Sequence, residues 1–137
     1  MDKSAIILAG GFSSRFGKDK GLVQLANKPL IKHVLDIIDN VVDEKIVVVS
    51  SEVQAENFEK FVGSGTNVLI DTNDVRGPLV GAFRGFRHAR GRHTLLLPCD
   101  APFVSRDVLL LLFDLCINRT AVVPRWPNGY IEPLQAV

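Results

Sequence analysis

Short runs of aliphatic and β-branched residues recur along the chain, and the stretches between them carry apolar positions at helical spacing. Ala5-Ile6-Ile7-Leu8-Ala9 is apolar throughout, as expected of a strand covered on both faces. Lys45-Ile46-Val47-Val48-Val49, Val68-Leu69-Ile70 and Thr94-Leu95-Leu96-Leu97 repeat that character, and Ala121-Val122-Val123 reads as a fifth strand. Between the first two runs, Leu30, Val34, Ile37, Ile38 and Val41 follow the helical period behind Pro29, leaving Lys32, Asp36 and Asp39 toward water. A shorter helix is expected over Val53 to Phe61, ending near Gly63. Leu79, Ala82, Phe83, Phe86 and Ala89 form the expected buried stripe of a third. Ser105 can cap a fourth, with Asp107 in its first turn. Strands alternating with helices predict βαβ units and a parallel sheet, in one α/β domain without repeats or linkers.

Composition agrees with this picture and removes some alternatives. The chain has 137 residues, 47% hydrophobic and 23% charged, enough for one domain with a proper core. Its net charge is +1, so no global field draws it to nucleic acid or an anionic membrane. Any phosphate chemistry must therefore come from local placement of positive groups. No apolar stretch approaches the roughly 20 residues of a membrane span, and the N-terminus shows no long apolar region with a cleavage site. The expectation is a cytoplasmic protein whose Cys99 and Cys116 are reduced, lacking CxxC or metal-ligand spacing. His33, His88 and His93 form no ligand spacing either.

The candidate chemistry begins directly after the first strand, in Leu8-Ala9-Gly10-Gly11-Phe12-Ser13-Ser14-Arg15-Phe16-Gly17-Lys18-Asp19-Lys20. Ligands of open parallel sheets bind at the carboxyl ends of strands, where this segment falls. Adjacent glycines let the backbone approach a ligand and point N–H groups at phosphate oxygens. Arg15 offers a forked donor, and Lys18 and Lys20 offer compact charges. A Walker A loop is excluded, because Phe12 replaces its first glycine and Asp19 its Ser/Thr; Gly10-Gly11-Phe12 is not GxGxxG.

The segment Leu8-Ala9-Gly10-Gly11-x-Ser13-x-Arg15-x-Gly17-x-Asp19-Lys20 resembles the signature of the molybdenum cofactor guanylyltransferases, part of a wider nucleotidyltransferase superfamily. The resemblance implies a Rossmann-like three-layer α/β/α fold with a mostly parallel sheet, of the nucleotide-diphospho-sugar transferase type. Further segments follow in family order. Gly77-Pro78-Leu79-Val80-Gly81 resembles the family's GPLxG, a rigid turn opening a helix, with Asp71 before it at a strand end. By resemblance Asp71 helps bind the nucleotide; read alone, it is equally a turn or cap residue in Asp71-Thr72-Asn73-Asp74. Pro98-Cys99-Asp100-Ala101-Pro102-Phe103 matches the family's CDxP arrangement, whose aspartate, here Asp100, coordinates Mg²⁺ and contacts the nucleotide. One carboxylate at a strand end suits magnesium, which takes its other ligands from phosphates and water. Cys99 reads as a small buried neighbour rather than a nucleophile. Glu132-Pro133-Leu134-Gln135-Ala136-Val137 resembles EPLxAVY, on the acceptor side, and Ile131 to Val137 reads as a strand beginning. Family members continue for several more elements, so the resemblance implies a single nucleotidyltransferase domain over 1–137 without the family's C-terminal elements.

What the resemblance implies is transfer of GMP from GTP to the terminal phosphate of molybdopterin, giving molybdopterin guanine dinucleotide and diphosphate. Arg15, Lys20 and Asp100 carry the catalytic roles. Leu8, Ala9, Gly10, Gly11, Lys20, Asp71 and Asp100 contact the nucleotide, and Asp100 holds Mg²⁺. Guanine over cytosine follows from the double glycine, since cytidylyl relatives tend to Ala-Gly. The expected partners are GTP, the molybdenum cofactor and other proteins of its biosynthesis, with neither nucleic acid nor membrane. Two readings stay open beside it: another NTP transferase, cytidylyl-molybdopterin or sugar-phosphate in type, and a GTP-binding module without turnover. Arg84, Arg87, His88, Arg90, Arg92 and His93 cluster on and after the third helix, as a nucleic-acid patch or a solvated face. Trp126 and Tyr130 flank the turn Pro127-Asn128-Gly129, as a pterin wall or plain hairpin packing.

Overall fold

The computed structural model describes residues 2–10, 19–71 and 77–137. Its elements follow in the order β1 (Lys3–Leu8), a 3-10 turn (Lys20–Leu22), β2 (Gln24–Leu25), β3 (Lys28–Pro29) and α1 (Leu30–Ile38). They continue through β4 (Glu44–Val49), α2 (Glu52–Val62), β5 (Thr66–Ile70), α3 (Pro78–His88), β6 (His93–Pro98) and α4 (Arg106–Leu115). β5, β4, β1 and β6 form a parallel sheet in that order, and β2 and β3 form a small antiparallel hairpin. The chain leaves β1 toward one edge and returns to its other side at β6. The carboxyl ends of β1, β4, β5 and β6 thus share one edge, next to the point where strand order reverses.

Alternation along the strands divides the core in two. Ala5, Ile7, Val47, Val49, Leu95 and Leu97 face a continuous core with Ile31, Val34 and Ile38 of α1, Ala55 and Phe58 of α2, and Leu109 and Phe113 of α4. Ile6, Ile46 and Val48 face the other way with Leu8, Leu69, Ala89 and Leu96, on the side of α3. The result is the three-layer α/β/α arrangement. Both faces of β1 are covered, which is why its sequence shows no polar alternation. Ser51 and Ser105 cap α2 and α4, accepting from the backbone N–H of Gln54 and Val108, and Gly63, at φ 76°, ends α2.

Three expectations require correction. The large residues of the expected α3 stripe face solvent, not the sheet: Leu79, Phe83 and Phe86 are 83%, 61% and 48% exposed, while Ala82 is buried and Ala89 packs against the core. Gly81 and Gly85 face inward beside Ala82. A Cβ on Gly85 would stand 2.7 Å from Ile6 and one on Gly81 3.3 Å from Leu8, so the helix backbone lies too close to the sheet for larger side chains. Neither Ala121-Val122-Val123 nor Ile131 to Val137 is a strand. Val122 and Val137 exchange backbone hydrogen bonds of 2.7 and 3.1 Å, and Leu96 donates to Ala136 at 2.8 Å, an antiparallel contact limited to isolated bridges. Pro124 and Pro133 lack the donors that a longer ladder needs. The intervening turn is a hairpin: Trp126 donates its backbone N–H to Tyr130 at 2.7 Å, and its indole donates to Glu132 at 2.7 Å.

Candidate functional site

Beyond β1, β5 and β6 the first loop residue continues the ladder of the parallel sheet. Ala9 donates to Val48 O at 2.8 Å, Cys99 to Leu8 O at 3.1 Å and Asp71 to Val49 O at 2.8 Å. The starts of these loops are therefore as fixed as the sheet. At Gly10 the backbone passes so near the α2 N-terminus that a Cβ would stand 2.6 Å from Ser50 Oγ. A larger residue there would have to turn the Ser50 hydroxyl aside, while the Ser50 backbone N, at 3.8 Å, leaves ordinary contact room.

Above this edge lies a cavity of about 1020 Å³. Leu8, Gly10, Lys20 and Asp71, four of the residues singled out from the sequence, line it together. Ala9 is buried beneath. Gly77, Pro78 and Gly81 contribute the opening turn of α3, so the GPLxG segment does face the cavity, and Pro98 contributes the end of β6. Asp100 lies two residues beyond Pro98, exposed in the turn after β6, and is not part of the lining formed by the described residues. Gly11 and Arg15 fall at positions outside the described residues.

Lys20 opens the 3-10 turn, which packs down through Gly21: a Cβ there would stand 2.9 Å from the Phe58 ring and 3.1 Å from Cys99 Sγ. Asp19 and Lys20 are thus carried on a turn seated on the core. The Cys99 thiol is pushed up to about 12, first by burial and then by the negative charge of Asp100. The charge of Asp19 acts in the same sense and that of Lys20 opposes it. Cys99 therefore stays a neutral thiol and supplies no nucleophile. Among the described residues no group of three or more His, Cys, Asp or Glu converges, so a metal held here needs oxygen ligands from elsewhere.

Sequence reasoning passed over Gln54 and Ser50, which also line the cavity. Gln54 is 6% exposed at the third helical position of α2. Its Nε2 donates to Ala9 O at 3.1 Å and to Asp19 Oδ1 at 2.6 Å, while Oε1 accepts from Ser50 N at 2.7 Å. The signal was available: Ser51-Glu52-Val53-Gln54 has the spacing of a capping box.

Over residues 5–137 the chain matches the family described as the MobA-like NTP transferase domain. The chain belongs to that family. This MobA-like domain is 39% identical to a "probable molybdenum cofactor guanylyltransferase" of Pyrococcus furiosus, with 96% of the domain and 65% of the relative covered. It is 33% identical to a protein of the same name in Methanosarcina mazei, with 98% and 62% covered. The domain thus spans less than two thirds of the length of these curated relatives. The solved structure of molybdopterin-guanine dinucleotide biosynthesis protein A from Archaeoglobus fulgidus superposes with a TM-score of 0.76 at 27% identity, covering 97% of this chain and 65% of that one. An Rv0371c homologue from Mycobacterium sp. strain JC1 superposes at 0.80 with 20% identity and shares the fold.

Proposed function

We propose that this domain carries the nucleotide side of a molybdenum cofactor guanylyltransferase. In the reaction the terminal phosphate of molybdopterin attacks the α-phosphorus of GTP; the bond to the β-phosphate breaks and diphosphate leaves. The observation that carries the reading is the meeting of Leu8, Gly10, Lys20 and Asp71 in one cavity at the carboxyl edge of the sheet. The names of relatives 33–39% identical over nearly the whole chain supply the acceptor and the base. Leu8, Ala9, Gly10 and Gly11 would line the nucleotide with their backbone, Asp71 would contact it, and Arg15 and Lys20 would neutralise the triphosphate and the departing diphosphate. Transfers of this kind depend chiefly on positioning and charge stabilisation. Asp100 would hold Mg²⁺: a single exposed carboxylate two residues beyond the cavity-lining Pro98 fits an ion that takes most of its ligands from phosphates and water. When bound, the ion would supply charge neutralisation on the phosphate oxygens.

We treat residues 1–137 as one nucleotidyltransferase domain, with the acceptor side completed by the elements through which the relatives exceed the matched span. Among the described residues no helix is long and apolar enough to cross a membrane, and we assign the protein to the cytoplasm, with other proteins of molybdenum cofactor synthesis as its partners.

The test supplies the purified protein with Mg²⁺, GTP and molybdopterin and measures diphosphate and dinucleotide. Both should form with GTP and neither with CTP or ATP. Asp100→Asn should lower metal-dependent turnover by about 100-fold or more, the scale of losing a main charge-stabilising group. Equal affinity for the three nucleotides would sink the guanylyl assignment. Diphosphate release with a sugar phosphate in place of molybdopterin would move the acceptor, and GTP binding without turnover would leave a binding module.

A further inference from the structure

We propose that Gln54 is a positioning residue: its side-chain amide ties together the two stems of the glycine-rich loop and so sets the loop's grip on the triphosphate. The inference rests on the reading of that loop as the triphosphate-binding element. Ala9 precedes positions 11–18 and Asp19 follows them, and Gln54 Nε2 donates to both, at 3.1 and 2.6 Å. Neither partner is a sequence neighbour, lying 45 and 35 residues away. The loop's two ends are therefore joined through the N-terminus of α2.

The chemistry of the amide separates this duty from helix capping. In a capping box the third helical residue needs only an acceptor that reaches back toward the cap. Gln54 Oε1 reaches one residue past the cap and accepts from Ser50 N at 2.7 Å, while Ser51 Oγ, the cap itself, accepts from Gln54 N at 3.1 Å. The two hydrogens on Nε2 exceed what the cap requires, and both are directed at the loop stems. A primary amide is the uncharged side chain that offers two donors and an acceptor at once. Glutamate has the same length and would cap equally well, with its charge favoured at a helix N-terminus. It would donate nothing to Ala9 O and would set a carboxylate against that of Asp19.

Gln54→Glu therefore keeps the cap and breaks the tie. Combining it with Asp19→Asn restores a hydrogen bond of reversed polarity, since the amide introduced at position 19 can donate to the carboxylate introduced at position 54. The experiment measures equilibrium binding of GTP and of guanosine, together with the thermal midpoint, for the purified chain and its variants. Wild type should bind GTP more tightly than guanosine. Gln54→Glu should weaken GTP about tenfold, the equivalent of about 1.4 kcal/mol, with guanosine affinity and thermal midpoint little changed. The double variant should recover most of the loss. Asp19→Ala, which leaves the cap of α2 untouched, should also weaken GTP selectively and keeps the test informative should Gln54→Glu fail to fold.

Undiminished GTP binding in both Gln54→Glu and Asp19→Ala overturns the inference and leaves Gln54 a capping residue. The inference also falls if the variants lose GTP and guanosine equally, or if the double variant is no better than Gln54→Glu. A wild type that does not distinguish GTP from guanosine removes the loop reading and this inference with it. A wild type that does, with variants that match it, removes the inference alone.

Discussion

Lys20 shows how a residue's role divides between its backbone and its side chain. Its carbonyl accepts from Val23 N at 3.1 Å within the 3-10 turn, while its side chain is exposed and lines the cavity. The turn is held by Gly21 against Phe58 and Cys99, so truncating the lysine removes charge without disturbing what seats it. Lys20→Ala should lower GTP affinity about tenfold, the scale of one charge-assisted contact to phosphate, and leave the thermal midpoint unchanged. Calorimetric titration checks this, and unaltered GTP affinity would remove Lys20 from the site. The lysine was legible in the sequence because it stands in a dense signature. Gly21 was not: its need arises from Phe58 and Cys99, distant in sequence and adjacent only after folding.

At the scale of elements, α3 is the instructive case. Its sequence holds two apolar sets, Leu79-Phe83-Phe86 and Gly81-Ala82-Gly85, and side-chain hydrophobicity favours the first as the buried one. The structure buries the second, because the even-numbered positions of β1 and β4 already fill the space beneath the helix. Gly85→Ala therefore sets two effects in opposition. Helix propensity favours alanine by about 1 kcal/mol, while a Cβ 2.7 Å from Ile6 forces the helix outward, an overpacking cost of about 1–3 kcal/mol. Denaturant unfolding should show net destabilisation, and a gain in stability would mean that α3 sits farther from the sheet. The hairpin β2–β3 escaped notice for a related reason. Its turn places Ala26 and Asn27 at φ 52° and 62°, and alanine carries no turn signal.

Across the whole molecule, the end of the sheet opposite the cavity is closed by a polar cluster. Glu44, 5% exposed, accepts from the Ser4 hydroxyl, from Arg90 N at 2.8 Å and from Arg90 Nε at 3.0 Å, and Gly91 N donates to Ser4 Oγ at 2.8 Å. The cluster binds β1, β4 and the segment leading to β6. Burial on its own would raise the Glu44 carboxyl above its ordinary value of 4.5, but the donors from Arg90 and Ser4 outweigh it and hold the group below. A depressed carboxylate contributes stability that is complete above its unfolded value and is lost as pH falls through the lower folded value. Acid unfolding should therefore steepen as pH drops below 4.5. Glu44→Gln should flatten that slope and cost about 1–3 kcal/mol at neutral pH, the scale of a buried donor left unpaired. A pH series of thermal midpoints decides it, and identical slopes in the two proteins would remove Glu44 from the acid response.

The order of strands and helices follows from local pattern, since a strand covered on both faces is apolar throughout and a surface helix repeats every 3.6 residues. Leu8, Gly10, Lys20 and Asp71, which line the cavity, could be named in advance because each stands in a short contiguous motif. What needed the folded chain was every relation across sequence distance. The choice of buried face on α3, the seat of Gly21 and the reach of Gln54 to Ala9 and Asp19 depend on which elements become neighbours and how near their backbones come. Local periodicity encodes that a segment has an apolar side; only packing decides how much space lies beneath it.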